Sequence, residues 1–101
     1  MLLAGDHIRH TVAFRLKETT DEGDFLAAAA GLAAIPGVEE FEILREVSPK
    51  NGFAFGISME FADRAAYEGY NEHPDHVRFV QDRWLPEVEE FLEIDYVRLP
   101  L

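Results

Sequence analysis

These 101 residues predict an α+β domain of the order strand-helix-strand-strand-helix-strand. Two observations carry that expectation. Stretches of alternating side chains, with the period of a strand, fall at both ends of the chain and twice in the middle. Between them lie two stretches with apolar residues at helical spacing, one after the first strand and one after the third. This is the split βαβ, ferredoxin-like βαββαβ arrangement, a four-stranded antiparallel sheet with helices on one face only.

The elements follow in order. Residues 7–17 alternate, with Ile8, His10, Val12, Phe14 and Leu16 on one face and Arg9, Thr11, Ala13, Arg15 and Lys17 on the other. His10 therefore points toward a core or pocket. His7 points the opposite way, so a regular strand does not let the two histidines chelate one metal. Thr19, Thr20 and Asp21 offer caps to a helix carrying Phe25, Ala28, Ala29, Leu32 and Ile35, and Pro36-Gly37 stops it. Residues 38–47 form a second strand, with Phe41, Ile43, Arg45 and Val47 on one side. Ser48 to Gly52 is a hairpin turn. Residues 53–61 are the clearest strand, with Phe53, Phe55, Ile57, Met59 and Phe61 facing Ala54, Gly56, Ser58 and Glu60 across the pleat. Asp63 caps a helix with Ala66, Tyr67 and Tyr70 on one stripe. After Pro74 a short helix runs to about Trp84 and ends at Pro86. Residues 91–99 are the last strand, with Phe91, Glu93, Asp95 and Val97 on one face and Leu92, Ile94 and Tyr96 on the other.

The chain reads as a single domain over residues 1–101, with no repeat and no linker. Its formal net charge of −11 repels phosphate backbones, so no nucleic-acid partner is expected. There is no cysteine, hence no disulfide and no thiol nucleophile. Met1-Leu2-Leu3-Ala4-Gly5 is too short and uncharged for a secretory leader, and no apolar run reaches membrane-spanning length. A soluble cytoplasmic protein is expected. The acidic stretches at 39–40 and 87–90 read as solvated faces.

The stretch around which the chain is organised is Tyr70-Asn71-Glu72-His73-Pro74-Asp75-His76-Val77-Arg78-Phe79. Pro74 disfavours the helical region for His73, so one helix ends there. Proline is welcome in a first helical turn, so the next begins at once. Tyr70 then closes one helix, His76 opens the next, and a phenol and an imidazole face a common space. The strand faces bring His10, Phe55 and Asp95 toward the same space from the sheet. Asp95 is expected to orient His76, with His76 and Tyr70 meeting a ligand as an acid–base pair. Plainer readings stand beside this one: His10 as a hydrogen-bonded core histidine, Asp95 as a cap or arginine partner, the phenylalanine stripe as core.

Tyr70-x-x-His73-Pro74-x-His76-x-x-Phe79 resembles the signature of the stress-responsive A/B barrel (Dabb) family. His10-Thr11-Val12-Ala13-Phe14-Arg15-Leu16-Lys17 resembles that family's opening strand, and Asp95-Tyr96 its closing one. The resemblance implies a dimeric α+β barrel, two sheets packed face to face. It also implies a homodimer that covers Leu92, Ile94 and Tyr96. Some members are polyketide cyclases, and their Tyr/His pair matches Tyr70 and His76. In that chemistry the histidine removes a proton and the tyrosine holds a carbonyl oxygen. His10 matches a further pocket histidine, and His73 and Phe79 belong to the ligand-binding stretch. Phe55 stands where the cyclase has histidine, and Glu93 places a charge on an expected apolar wall. Some members hold Mg²⁺ through backbone carbonyls, matched here by Leu32, Ile35 and Val38. No side-chain metal site and no organic cofactor are expected.

Three functions follow. One is an acid–base enzyme on a small oxygenated or polyketide-like molecule. Another is a non-catalytic stress-response or ligand-binding protein, and a cofactor-free monooxygenase is a third. A cavity of roughly 300 Å³ or more marks a ligand site. A space filled by Phe25, Phe55, Phe79 and Trp84 marks a structural one.

Overall fold

The structure, a computed structural model, describes residues 7–101. The N-terminal stretch read above for a leader lies outside them. Strand β1 spans Ile8–Leu16 and helix α1 Glu22–Ala30, which tightens into a 3₁₀ turn over Gly31–Ala34. Strands β2 (Glu39–Arg45) and β3 (Phe55–Phe61) follow. Then come α2 (Arg64–Glu72) and α3 (Pro74–Phe79). The chain runs on through a π-helical turn, Val80–Trp84, and a short helical turn, Leu85–Glu87, into β4, Val88–Val97. The sheet order is β2-β3-β1-β4 with every pair antiparallel, as the ferredoxin-like arrangement requires.

The caps are where sequence chemistry puts them. The Asp21 side chain accepts from the Asp24 amide at the start of α1, and Asp63 from the Ala66 amide at the start of α2. Gly37 takes a φ of 91° after Pro36, a conformation open to glycine. His73 is extended (φ −63°, ψ 135°), as a residue before proline should be, and Pro74 opens α3.

Strand β4 begins three residues earlier than the alternation from Phe91 suggested. Arg15 pairs with Glu90 but Leu16 pairs with Val88, so Glu89 is an extra residue on β4. Such a bulge resets the alternation. It turns Val88 inward, where it is buried, and leaves Glu89 and Glu90 exposed. Pro86 does not end the helical segment, which includes it at the second position of its last turn. The segment closes one residue later, at Glu87.

The core lies between the helices and one face of β1 and β3. Phe14, Phe25 and Phe61 are fully enclosed there, with Ile57 and Met59 nearly so. Burying each such side chain is worth about 1.5–3 kcal/mol. The opposite face of the sheet has no helix over it. Leu44, Leu92, Ile94 and Tyr96 are between 37% and 51% exposed on that side. Strand β4 is open on its helix-side face as well, where Phe91 is 49% exposed. Among the described residues no helix is long and apolar enough to cross a membrane.

Candidate functional site

The helix break at His73 builds the site. Where α2 ends, the Asn71 carbonyl has no amide one turn on to accept from, because the Asp75 amide donates to the His73 ring nitrogen instead. His76 fills the gap: its Nδ1–H donates to the Asn71 carbonyl at 3.0 Å. This fixes the tautomer and turns Nε2 outward as an acceptor. The ring also lies against Tyr70, with centroids 4.4 Å apart. Burial lowers the His76 pKa below its usual 6.5, and the neighbouring His10 adds to this. The Asn71 carbonyl and Glu93 oppose it without reversing it. His76 is therefore a neutral base at pH 7.

A second imidazole enters from the sheet. His10 and Asp95 are directly paired across β1 and β4. The Nδ1–H of His10 donates to Asp95 Oδ1 at 2.6 Å. The Tyr67 hydroxyl donates to Asp95 Oδ2 at 2.7 Å and lies 3.1 Å from the same His10 nitrogen. Burial first, and then Asp95, push the Tyr67 hydroxyl well above its ordinary pKa, so it stays protonated. Tyr70, 2% exposed, is pushed up by burial and by the charge of Glu93. It too remains a phenol that can donate.

His10, Tyr70 and His76 border one cavity of about 370 Å³, with Tyr67 and Asp95 behind His10. His10, Tyr70, Asn71, His76 and Glu93 supply its polar wall; Val12, Ile57, Met59, Phe79, Trp84 and Phe91 are among its apolar lining. Among the described residues, no hydrogen bond engages Nε2 of either imidazole or the Tyr70 hydroxyl. None of the three atoms is sealed from solvent. A small hollow thus has two unengaged imidazole nitrogens and one hydroxyl donor on its surface.

The structure brings Tyr70, His76, His10 and Phe79 to the cavity. It corrects three further expectations. Asp95 orients His10 and Tyr67 and makes no hydrogen bond to His76, because the register places it opposite His10 while Asn71 takes the His76 nitrogen. Phe55 lines no part of the cavity. It packs on Phe14 and under the Arg45 guanidinium in the closed end of the core. His73 is a helix cap, its ring spent on the Asp75 amide. Tyr67 and Glu93 were not among the expected site residues. Tyr67 could have been found from its place one turn before Tyr70 on the same stripe, and Glu93 from its place beside Asp95 on the inward face of β4.

His10, Glu93 and Asp95 each place a ligand atom within 4.8 Å of the others, a donor set that could hold a cation. The His10–Asp95 hydrogen bond already satisfies that ring nitrogen. At the end of α1 the Leu32 and Ile35 carbonyls accept from the Ile35 and Val38 amides.

A model of the stress-responsive A/B barrel domain matches residues 8–98. The chain belongs to that family. A stress-response A/B barrel domain-containing protein of Arabidopsis thaliana is 24% identical over 100 residues. That match covers 92% of this chain, which spans 38% of the length of the Arabidopsis protein. A Dabb family protein with a ferredoxin-like fold from Mesorhizobium loti is 60% identical. Its crystal structure superposes with a TM-score of 0.89, covering 93% of this chain and 98% of that one. A hydroxynitrile lyase from Passiflora edulis is 19% identical, with a TM-score of 0.85 over 96% of this chain and 97% of the lyase. A dimeric ferredoxin-like protein of unknown function from Thermobifida fusca is also 19% identical, with a TM-score of 0.78 over 97% of this chain and 96% of that one. The last two likenesses show a shared fold.

Proposed function

We propose that this Dabb protein is a cofactor-free acid–base enzyme on a small oxygenated, polyketide-like carbon skeleton, and that it works as a homodimer. The observation that carries the reading is the set of three unengaged polar atoms on one largely apolar cavity: Nε2 of His76, Nε2 of His10 and the Tyr70 hydroxyl. His76 is the base. Its lowered pKa keeps Nε2 free at neutral pH, and the Asn71 carbonyl holds the ring in place. It takes a proton from a carbon next to a carbonyl. Tyr70 donates to the carbonyl oxygen as negative charge develops there. His10, oriented by Asp95 and Tyr67, is placed to meet a second oxygen of the substrate, and the proton that His76 takes is returned from His76. Catalysis on this scaffold has a precedent in the hydroxynitrile lyase that shares the fold, an analogy of fold and not of site.

The homodimer reading rests on the bare sheet face, where Leu44, Leu92, Ile94 and Tyr96 leave apolar surface uncovered. A dimeric protein of the same fold points the same way. The test of the chemistry is deuterium exchange at the central carbon of a small 1,3-diketone, followed by NMR. The wild type should accelerate exchange and His76→Ala should abolish the acceleration with the fold intact. Tyr70→Phe should lose about 100-fold, the usual cost of removing one preorganised donor. Exchange that is equally fast in His76→Ala would overturn the reading and leave a binding protein.

A further inference from the structure

Glu93 is the only carboxylate on the cavity wall among the described residues, and it is poorly served by the protein. Two donors lie near it, the Tyr67 hydroxyl at 3.4 Å and His10 Nδ1 at 3.5 Å. Each has one proton, and each proton is already committed to Asp95 at a shorter distance, 2.7 Å from Tyr67 and 2.6 Å from His10. Asp95 therefore has both oxygens satisfied while Glu93 has neither firmly held. Among the described residues no lysine or arginine pairs with either carboxylate; the ion pairs they make are with His10 alone. The Glu93 side chain is 48% exposed, so solvent water is free to hydrate it. A ligand that displaces this water must bring a donor of its own, because an acceptor facing an unpaired acceptor loses the hydrogen bond and gains repulsion.

We propose that Glu93 selects the ligand class: a small apolar skeleton carrying a hydrogen-bond-donor head, hydroxyl or ammonium, and not a carboxylate. The inference deepens the acid–base reading above and rests on the same cavity. The apolar body lies against Ile57, Met59, Phe79 and Trp84, and the donor head lies against Glu93. The head then sits close to Tyr70 and His76, both of which feel the Glu93 charge. It also explains a charge on a wall that packing alone would make apolar.

Trp84 is the single tryptophan of the chain and lines the cavity, so its emission reports occupancy directly. Three probes of one shape, 2-phenylethanol, 2-phenylethylamine and phenylacetate, are titrated against the full chain with Trp84 excited selectively. EDTA is present so that no stray cation screens Glu93. The alcohol and amine should each bind about tenfold or more tightly than the carboxylate, the scale of one charge-assisted hydrogen bond gained rather than opposed. Glu93→Gln keeps the shape and removes the charge. In that variant the amine and the carboxylate should fall within about threefold of each other, most of that energy difference being gone. Hydroxyl and ammonium sources are separated by which of the two probes Glu93→Gln weakens more. Phenylacetate binding as well as the alcohol in the wild type would overturn the proposal. So would a rank order that Glu93→Gln leaves intact, or three probes that all fail to perturb Trp84. The two readings fail separately. Fast deuterium exchange in His76→Ala with the rank order preserved sinks the chemistry and spares the selectivity. A collapsed rank order with exchange still dependent on His76 does the reverse.

Discussion

Two clusters of aromatic rings share the helix-facing side of the sheet. At one end Phe14 sits among Phe25, Phe55 and Trp84, with ring centroids 5.9, 5.6 and 5.1 Å away. At the other Phe61 touches Tyr67 and Tyr70, both at 5.1 Å, and Tyr70 continues to His10 and His76. The first cluster is closed except at Trp84, which reaches the hollow, and it carries no polar atom except the indole nitrogen. The second has a hydroxyl or ring nitrogen on nearly every ring, and it borders the hollow. The difference teaches that aromatic spacing alone does not separate core from site. What separates them is whether the polar atoms on the rings are spent on the protein or left facing a space.

The comparison can be broken by substitutions at each end. Phe14→Ala should cost about 3–5 kcal/mol of stability in chemical denaturation, the range for emptying a closed aromatic site. Tyr70→Phe removes one atom from an equally buried ring. It should change stability by no more than about 1 kcal/mol, because the hydroxyl makes no internal hydrogen bond to lose. A Tyr70→Phe loss as large as that of Phe14→Ala would mean that both clusters are core. Asp95→Asn tests the site's inner support and should cost about 1 kcal/mol, the net worth of a partly exposed hydrogen bond. Its sharper readout is ¹⁵N NMR. The His10 Nδ1–H signal should shift or vanish while that of His76, bonded to Asn71, stays in place. A His76 signal that moves instead would restore the Asp95–His76 link expected from sequence.

The smallest effect is on pH dependence. The folded His76 pKa is lowered, so the unfolded chain binds more protons in the interval below 6.5. Stability from this group is complete above pH 6.5 and declines as pH falls toward the lowered folded value. Thermal melts of His76→Gln should show a flatter slope across that interval than the wild type. Identical slopes would place the titration elsewhere.

Much of the fold was legible because strand alternation and helix punctuation are local. The inward face of His10, Phe14, Ile57, Met59 and Phe61 follows from period two alone, and the break at His73-Pro74 from proline's geometry. The site was only partly legible because its pairings are not local. Asp95 could be placed on the correct face, but its partner depended on strand register, which sets it opposite His10. His73 has the residue type of a ligand contact and the position of a helix cap, and position decided. Phe55 alternates with the cavity residues yet sits one pair too far along β3, under Arg45.

The π-helical turn from Val80 to Trp84 has a consequence for which changes of length the chain can tolerate. Cavity residues in this segment come in pairs five apart, Phe79 with Trp84 and Val80 with Leu85. An ordinary helix aligns residues three or four apart; the widened turn, with its i→i+5 bonding, aligns these. Deleting one residue here, such as Gln81 or Asp82, would bring each pair to four apart, the spacing an ordinary helix aligns. The turn would then relax to α geometry with Trp84 and Leu85 still beside Phe79 and Val80. The same deletion in α3 has no extra residue to absorb it and would rotate everything beyond by about 100°, one residue's share of a helical turn. A single codon lost from Val80–Trp84 should therefore be milder than one lost from α3.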